Sequence, residues 1–324
     1  MQIFINGFGR IGRSVLRAYM QSRASWPMLD IAGINDIAPA DMCAYLFEYD
    51  SIYGPWRGTV SLTETALVVN GHAIPLHRTH DISTLDLHGV DLVMECTGRA
   101  DSLAVAQRGL HAGARRILVS GPSSAADYTV VLGANEAGLA GQKIISNASC
   151  TTNALAPLVR LIHENWGIVT GSMTTIHCYT GSQPTTDAPA ADYARSRAAA
   201  LSMVPTTTSA ERLLDEVLPD IAGRIHASAV RVPTASVSAV DLCVMVNRVP
   251  DAAAVNAAFR KPGGVIGATD KALVSSDLRA RPESIVMACP ETRVTPQGLL
   301  RVFGWYDNEW GFSNRMLDVA VRMG

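Results

Sequence analysis

The chain has 324 residues, of which 48% are hydrophobic and 17% charged, and its formal net charge is -2. This length suggests two domains, the composition excludes a disordered chain, and the charge gives no reason to expect nucleic acid or an anionic membrane as a partner. The start of the chain lacks the pattern of a signal peptide, and no apolar run reaches the length of a membrane span. The six cysteines are scattered without a C-x-x-C pair, so we expect no metal site and a cytoplasmic location.

Apolar runs alternate with amphipathic segments in the first half of the chain. Strands are predicted at Gln2–Asn6, Leu29–Asp36, Asp91–Cys96, Arg116–Ser120 and Lys143–Asn147, and helices at Ile11–Met20, Asp41–Phe47 and Leu103–Ala112. Three further strands, Thr59–Leu62, Ala66–Val69 and His72–Leu76, resemble an inserted β-meander. Strands that alternate with helices predict an α/β domain with a parallel sheet covered on both faces.

Longer strands are predicted in the second half. They are Ile168–Thr180, Ser228–Val232, Val237–Asn247, Glu291–Val294 and Leu299–Tyr306, and the helices between them are Cys150–Asn165, Ala210–Val217 and Asp251–Arg260. This order favours an α+β domain whose mixed or antiparallel sheet carries helices on one face. Gly181–Ala190 has the composition of a loop, and Glu309–Arg322 is predicted to be a final helix.

A glycine motif follows the first predicted strand. Gly7-Phe8-Gly9-Arg10-Ile11-Gly12 matches G-x-G-x-x-G between a strand and an amphipathic helix, which is typical of dinucleotide-binding sites. In such sites the first glycine permits a tight turn, the second lets the backbone approach a pyrophosphate, and the third allows close packing of helix and strand. A glycine turn without a ligand is the alternative.

Polar residues follow three other predicted strands of the same sheet. Asp36 lies where a carboxylate can accept hydrogen bonds from the adenine ribose, and Ile37 follows without an arginine for a 2′-phosphate, so NAD is favoured over NADP. An N-cap of the next helix is the alternative role for Asp36. Thr97 and Ser120 come at the carboxyl ends of two strands, where ligands bind in parallel sheets.

Cys150 stands at the predicted start of a helix, in the sequence Ser149-Cys150-Thr151-Thr152. The positive end of a helix dipole favours a thiolate, and the flanking hydroxyls argue against a buried structural cysteine. A nucleophilic thiol needs a base, and His177 lies near the end of a predicted strand. The spacing alone does not pair these two residues.

The chain resembles the glyceraldehyde-3-phosphate dehydrogenase family over nearly its whole length. The resemblance is carried by Ile5-Asn6-Gly7-Phe8-Gly9-Arg10-Ile11-Gly12-Arg13, Ala148-Ser149-Cys150-Thr151-Thr152-Asn153, Thr174-Thr175-Ile176-His177, Arg231-Val232-Pro233-Thr234 and Trp305-Tyr306-Asp307-Asn308-Glu309-Trp310-Gly311. It implies a Rossmann-type NAD-binding domain of residues 1–149 and 309–324, and a catalytic domain of residues 150–308. It also implies a homotetramer.

The resemblance implies a mechanism as well. The thiolate of Cys150 attacks an aldehyde, His177 takes the proton, hydride passes to NAD, and inorganic phosphate releases an acyl phosphate from the resulting thioester. Asn308 matches the residue that holds the nicotinamide carboxamide. Thr180 and Arg231 match ligands of the substrate phosphate. Residues that match the inorganic-phosphate site are Ser149, Thr151 and Thr208, with Arg195 beside it.

The sequence departs from the family pattern near these anion sites. Ser182 stands where Asp is usual, Ser209 where Gly is usual, and Ala188 where Leu is typical. Oxidation of glyceraldehyde 3-phosphate to 1,3-bisphosphoglycerate is the function that we expect. The alternatives are an erythrose-4-phosphate dehydrogenase, a specialised paralogue acting on another phosphorylated aldehyde, and a catalytically idle NAD-binding protein.

Overall fold

The structure, a computed structural model, describes residues 1–190, 192–261 and 263–324. The described chain divides into two compact units. The first comprises Met1–Val130, Ala137–Ala148 and Ser313–Gly324, and the second comprises Val131–Glu136 and Ser149–Phe312.

The first unit contains a nine-stranded sheet among its described residues. Its strands are β1 (Gln2–Asn6), β2 (Asp30–Asn35), β3 (Val60–Leu62), β4 (Ala66–Val69), β5 (His72–His77), β6 (Leu92–Glu95), β7 (Arg116–Val119), β8 (Tyr128–Thr129) and β9 (Ile144–Ser146). They lie in the order β3-β4-β5-β2-β1-β6-β7-β9-β8. All pairs from β5 to β8 in this order are parallel, whereas β3, β4 and β5 form the predicted antiparallel meander.

Helices accompany this sheet. They are α1 (Arg10–Gln21), α2 (Ala40–Glu48), α3 (Leu103–Ala106), α4 (Arg108–His111) and α8 (Trp310–Met323). The segment Leu103–Ala112 was predicted as one helix, but it forms two short helices that meet at Gln107. The central strands are apolar because both sheet faces are covered, as the full burial of β6 shows.

The second unit contains an eight-stranded mixed sheet among its described residues. Its strands are β10 (Ile168–Cys178), β11 (Val204–Thr206), β12 (Ile225–Val232), β13 (Ser238–Val246), β14 (Ile266–Thr269), β15 (Ile285–Ala288), β16 (Arg293–Val294) and β17 (Leu299–Tyr306). The order is β11-β12-β10-β13-β17-β15-β14, and β16 pairs with β17. The pairs β10–β12 and β14–β15 are parallel, and the others are antiparallel.

Three helices complete the second unit: α5 (Cys150–Trp166), α6 (Ala210–Val217) and α7 (Ala252–Phe259). Along β17, buried residues alternate with half-buried ones, so one sheet face lies against the core and the other is open. These observations confirm the predicted fold class, a parallel Rossmann-type sheet together with a mixed-sheet α+β unit. Within the described residues, no helix is both long and apolar enough to cross a membrane.

Candidate active site

The glycine motif forms a tight turn between β1 and α1. Gly7 has a φ of +92°, and a Cβ there would lie 2.8 Å from backbone atoms of Cys96 and Thr97. A Cβ on Gly12 would lie 2.1 Å from the carbonyl oxygen of Gly7, whereas one on Gly9 would meet nothing within 4 Å. Gly7 and Gly12 are therefore required by packing, and Gly9 leaves open space at the start of the helix, as close approach by a pyrophosphate requires.

Asp36 lies directly after β2 and binds the glycine turn. Its carboxylate accepts hydrogen bonds from the backbone N–H of Phe8, at 2.6 Å, and of Ala38, at 2.9 Å. The alternative role as an N-cap is wrong, because the N-cap of α2 is Pro39. Asp36 faces a cleft of about 240 Å³ that Gly7, Gly9 and Thr97 also line. The structure thus brings together four of the predicted cofactor-binding residues.

Of the other residues predicted for the cofactor, Arg10, Ile11, Gly12 and Ser120 lie in the first unit, and Asn308 lies in the second. Arg10 begins α1, and its guanidinium pairs with the carboxylate of Asp50. Ile11 follows Arg10 in the helix. Ser120 lies directly after β7, and its backbone N–H donates to the carbonyl oxygen of Glu95, at 3.0 Å. Neither Ile11 nor Ser120 is among the residues that line the cleft.

A buried polar network beneath the cleft was not predicted from the sequence. The carboxylate of Glu95, at the end of β6, accepts hydrogen bonds from Asn6 Nδ2, at 2.5 Å, and from the backbone N–H of Thr97, at 3.0 Å. Asn35 Nδ2 donates to Asn6 Oδ1, at 2.9 Å. Burial raises the pKa of Glu95, and its hydrogen bonds with Thr97 and Asn6 oppose that rise. The sequence feature that could have revealed this network is Glu95, a charged residue at the end of an otherwise apolar strand.

In the second unit, the predicted nucleophile and base are in contact. Cys150 is the first residue of α5, and the side chain of the N-cap residue Ser149 accepts a hydrogen bond from the backbone N–H of Thr152, at 3.1 Å. Cys150 Sγ lies 3.6 Å from His177 Nε2, within hydrogen-bonding distance for sulfur. The two residues come from different elements, the start of α5 and the end of β10, and only the fold joins them.

Arg231 lies beside the base because β10 and β12 pair in parallel. His177 and Arg231 are direct partners in this register. Arg231 Nη1 lies 3.0 Å from His177 Nδ1, and it donates to the carbonyl oxygen of Cys178, at 3.0 Å, and to Thr180 Oγ1, at 3.5 Å. His177 Nδ1 also lies 2.7 Å from the carbonyl oxygen of Cys178. The ring is therefore held on its Nδ1 side, and Nε2 faces the thiol.

The surroundings favour the neutral forms of both groups. Burial, reinforced by the charge of Arg231, lowers the pKa of His177 to about 4. Desolvation raises the pKa of Cys150, and the charge of Arg231 and hydrogen bonds with Thr151 oppose that rise. We expected the helix start to favour a thiolate, but desolvation outweighs the opposing effects. A neutral imidazole next to a neutral thiol can take the proton as sulfur attacks a carbonyl.

A chain of buried hydroxyl groups lies next to this pair. Tyr306 Oη is 2.9 Å from Thr151 Oγ1 and 2.8 Å from Thr175 Oγ1. Thr175 Oγ1 donates to the carbonyl oxygen of Ala239, at 3.1 Å, and the ring of Tyr306 meets that of His177 edge to face. Tyr306 thus ties the first turn of α5 to β10. Sequence reasoning missed this contact and expected the Thr151 hydroxyl at a phosphate site.

Asn308 is buried and contacts the residue after the base. Its Oδ1 accepts a hydrogen bond from the thiol of Cys178, at 3.1 Å. Cys178 is buried, and its carbonyl oxygen is the one that lies near His177 and Arg231. Asn308 is therefore linked to His177, which contacts Cys150, through the single residue Cys178.

The remaining residues predicted to bind phosphate lie on loops and element ends of the second unit. Thr180 follows β10 and contacts Arg231. Arg195 Nε donates to Thr206 Oγ1, at 2.6 Å, and Thr208 Oγ1 accepts from the backbone N–H of Ala210, at 3.1 Å. Thr180 thus joins the Cys150–His177–Arg231 group, whereas the side chain of Arg195 contacts the end of β11 and that of Thr208 contacts the start of α6.

No metal centre accompanies these residues. Among residues 1–190, 192–261 and 263–324, no group of three or more His, Cys, Asp or Glu side chains could hold a metal ion.

Comparison with known proteins identifies the family. Residues 1–103 match the family model described as the NAD binding domain of glyceraldehyde 3-phosphate dehydrogenase, and residues 149–308 match its C-terminal domain. The glyceraldehyde-3-phosphate dehydrogenases of Xanthobacter flavus and Cereibacter sphaeroides are 42% and 43% identical to the chain, and each alignment covers 100% of this chain and 98% of the relative. Glyceraldehyde-3-phosphate dehydrogenase 1 of Bacillus subtilis is 40% identical over 99% of this chain and 97% of its own length. The chain therefore belongs to the glyceraldehyde-3-phosphate dehydrogenase family.

Proposed function

We propose that the protein oxidises glyceraldehyde 3-phosphate to 1,3-bisphosphoglycerate with NAD and inorganic phosphate. The reaction proceeds through a hemithioacetal and then a thioester on Cys150. The observation that carries this proposal is the contact of 3.6 Å between Cys150 Sγ and His177 Nε2, next to the guanidinium of Arg231. A nucleophile, a base and an anion-binding group together suit a phosphorylated aldehyde.

NAD fits the first unit because the glycine turn leaves room at the start of α1 and Asp36 offers a carboxylate beside the same cleft. The residues that would hold NAD are Gly7, Gly9, Arg10, Ile11, Gly12, Asp36, Thr97, Ser120 and Asn308. When bound, NAD supplies the hydride acceptor. The carboxylate of Asp36 would accept hydrogen bonds from ribose hydroxyls and repel a 2′-phosphate, which favours NAD over NADP.

His177 handles the protons of the reaction. Since its pKa is lowered to about 4, its imidazole is neutral at neutral pH and can accept the thiol proton when Cys150 attacks the aldehyde. The imidazolium then gives this proton to the oxygen of the former aldehyde, which becomes the hemithioacetal hydroxyl, and takes it back as hydride leaves the carbon and the thioester forms. Cys150 starts α5, so its backbone N–H is one of the donors that have no partner within the helix, and it can stabilise the developing oxyanion.

Two anion sites follow from the same proposal. Thr180 and Arg231, which are in contact, would bind the phosphate of the substrate. Ser149, Thr208 and Arg195 would bind the attacking inorganic phosphate, whereas the hydroxyl of Thr151 is turned toward Tyr306. Hydroxyl and guanidinium donors suit this role because phosphate accepts several directed hydrogen bonds.

Omission of phosphate is the direct test. Purified protein is given glyceraldehyde 3-phosphate and NAD, with and without inorganic phosphate, and NADH is followed at its absorbance maximum. We expect sustained turnover only with phosphate, because the thioester otherwise hydrolyses slowly. Equal turnover in both arms would refute the phosphorylating reaction and favour the acid-forming chemistry of an erythrose-4-phosphate dehydrogenase. The full-length relatives, which are glyceraldehyde-3-phosphate dehydrogenases, favour the glyceraldehyde 3-phosphate reaction.

We also propose that residues 1–149 and 309–324 bind NAD, that residues 150–308 carry out catalysis, and that the protein is a cytoplasmic homotetramer. The outer face of the second sheet supports the assembly, because apolar side chains lie there exposed, as in Ile176, or only partly buried, as in Phe303 and Trp305. Sedimentation velocity at micromolar concentration tests it. A single monomeric species would contradict the tetramer.

A further inference from the structure

The backbone around Asn308 is held by the residue before it. One carboxylate oxygen of Asp307 accepts hydrogen bonds from the backbone N–H groups of Glu309, at 3.1 Å, and Trp310, at 2.8 Å. The other oxygen accepts from the backbone N–H of Ala280, at 2.8 Å. Because these bonds fix the chain next to Asn308, its amide group is the part of the residue that can still turn.

The amide of Asn308 is bound at its oxygen only. Its Oδ1 accepts a hydrogen bond from the thiol of Cys178, at 3.1 Å, whereas its Nδ2 has no acceptor among residues 1–190, 192–261 and 263–324. Asn308 is only 8% exposed, and a buried N–H group without an acceptor destabilises a protein. The two N–H donors of Nδ2 therefore indicate that a bound molecule supplies the acceptor.

The thiol of Cys178 is suited to fix the direction of this amide. Cys178 is buried at the end of β10, and its backbone N–H donates to Ser238 Oγ, at 3.1 Å. Burial raises the pKa of the Cys178 thiol to about 12, and its contact with Ser238 opposes that rise, so the S–H group keeps its proton at neutral pH. A thiol donates to the amide oxygen, whereas sulfur is a weak acceptor for the amide N–H groups. The contact therefore favours the orientation with Oδ1 toward sulfur.

We propose that Cys178 is a positioning residue for cofactor binding, because its S–H group holds Oδ1 of Asn308 and thereby leaves Nδ2 to donate to the carboxamide oxygen of NAD. Without the thiol, the amide could turn by 180° and present its oxygen to the oxygen of the cofactor. Two acceptors form no hydrogen bond, so NAD would bind less tightly. This inference rests on the proposed role of Asn308 in holding NAD.

Three variants and three ligands test the role of the thiol. Cys178→Ala removes the donor and Cys178→Ser restores one, and Cys289→Ala is the matched control because it makes the same change at another buried cysteine of the second unit. Dissociation constants are measured by calorimetry for NAD, for its 3-acetylpyridine analogue and for ADP-ribose. The analogue keeps the carbonyl oxygen but has a methyl group in place of the amide nitrogen, and ADP-ribose lacks the nicotinamide ring.

We expect Cys178→Ala to raise the dissociation constants of NAD and of the acetylpyridine analogue roughly threefold, whereas Cys178→Ser and Cys289→Ala stay near the wild type. ADP-ribose should bind equally to all four proteins, because it has no carboxamide. Unchanged NAD affinity in Cys178→Ala would overturn the proposal, as would an equal loss for ADP-ribose or a loss that the acetylpyridine analogue does not share. Absence of NAD binding in the wild type would refute the proposed cofactor site as well.

Infrared spectroscopy tests the contact without cofactor or turnover. The S–H stretching band of Cys178 is assigned as the one that is absent from Cys178→Ser, and a hydrogen bond to an oxygen lowers its frequency. Asn308→Ala removes that oxygen, so the Cys178 band should move to a higher frequency in this variant and stay in place in Cys289→Ala. An identical frequency in the wild type and in Asn308→Ala would refute the role of Cys178, while the proposed reaction of Cys150 would still stand.

Discussion

The buried base makes a quantitative prediction about pH. The pKa of His177 falls from 6.5 to about 4 in the folded protein. Between these values the unfolded chain binds a proton that the folded protein does not. The stability that His177 contributes is therefore complete above about pH 6.5 and is lost as the pH falls toward 4. At about 1.4 kcal/mol per pKa unit, the loss from neutral pH to about pH 5 is about 2 kcal/mol.

The matched variant is His177→Gln, which keeps a polar side chain but does not titrate. Carboxyl groups with a lowered pKa, such as that of Asp50, also make the folded protein less stable in acid, and the variant retains these groups. Free energies of unfolding from urea titrations at about pH 8 and about pH 5 give the acid loss of each protein. We expect the wild type to lose about 2 kcal/mol more than His177→Gln over this interval.

A direct titration completes the test. In protein with 13C-labelled histidine, the His177 resonance is assigned as the one that is absent from His177→Gln. It should keep the chemical shift of the neutral imidazole down to about pH 5. A midpoint near the ordinary histidine value, together with equal acid losses in both proteins, would refute the reasoning from burial and from Arg231. His177 would then be too solvated to be the neutral base described here.

Three further predictions concern single side chains. Cys150→Ser should abolish NADH formation, while the NAD dissociation constant, measured by calorimetry, stays near that of the wild type. Undiminished activity of this variant would refute the proposed mechanism. Asp36→Ala should weaken NAD binding roughly tenfold, because the carboxylate also accepts a hydrogen bond from the Phe8 N–H in the glycine turn. The variant should also discriminate less between NAD and NADP. An unchanged ratio of the dissociation constants for NAD and NADP would contradict the proposed role of Asp36. Tyr306→Phe should lower the free energy of unfolding by about 1–2 kcal/mol, because it removes both hydroxyl contacts of a buried group; denaturant titration with no shift of the midpoint would refute this.

The sequence predicts the elements with strong periodicity and misses several of the short strands. β17 and α6 have the predicted bounds. Buried residues alternate along the strand β17, and apolar residues recur at helical spacing over two turns of α6, so both patterns are readable from the sequence. Four short strands were not predicted: β8, β11, β14 and β15. β15 is buried along its whole length, and β8 has only two residues, so neither displays an alternation that a sequence pattern can reveal.

The candidate nucleophile Cys150 and its candidate base His177 could be found only in part from local sequence. The setting of Cys150 at a helix start predicts a reactive thiol, and the resemblance adds His177, but neither gives the ring contacts that fix Nε2 toward sulfur. The hydroxyl group of Thr151 shows the limit most clearly. Its direction depends on Tyr306, which is 155 residues away in sequence, and no local pattern reports such a contact.

The parallel register of β10 and β12 has a consequence for redesign of this site. His177 and Arg231 are neighbours because the backbone ladder sets them opposite each other. A slip of one residue along that ladder would place one of the two side chains on the other face of the sheet. His177 would then no longer lie beside the guanidinium of Arg231, although neither residue had been substituted. Transplanting this chemistry to another scaffold therefore means copying a strand alignment, since the two side chains alone do not specify their meeting.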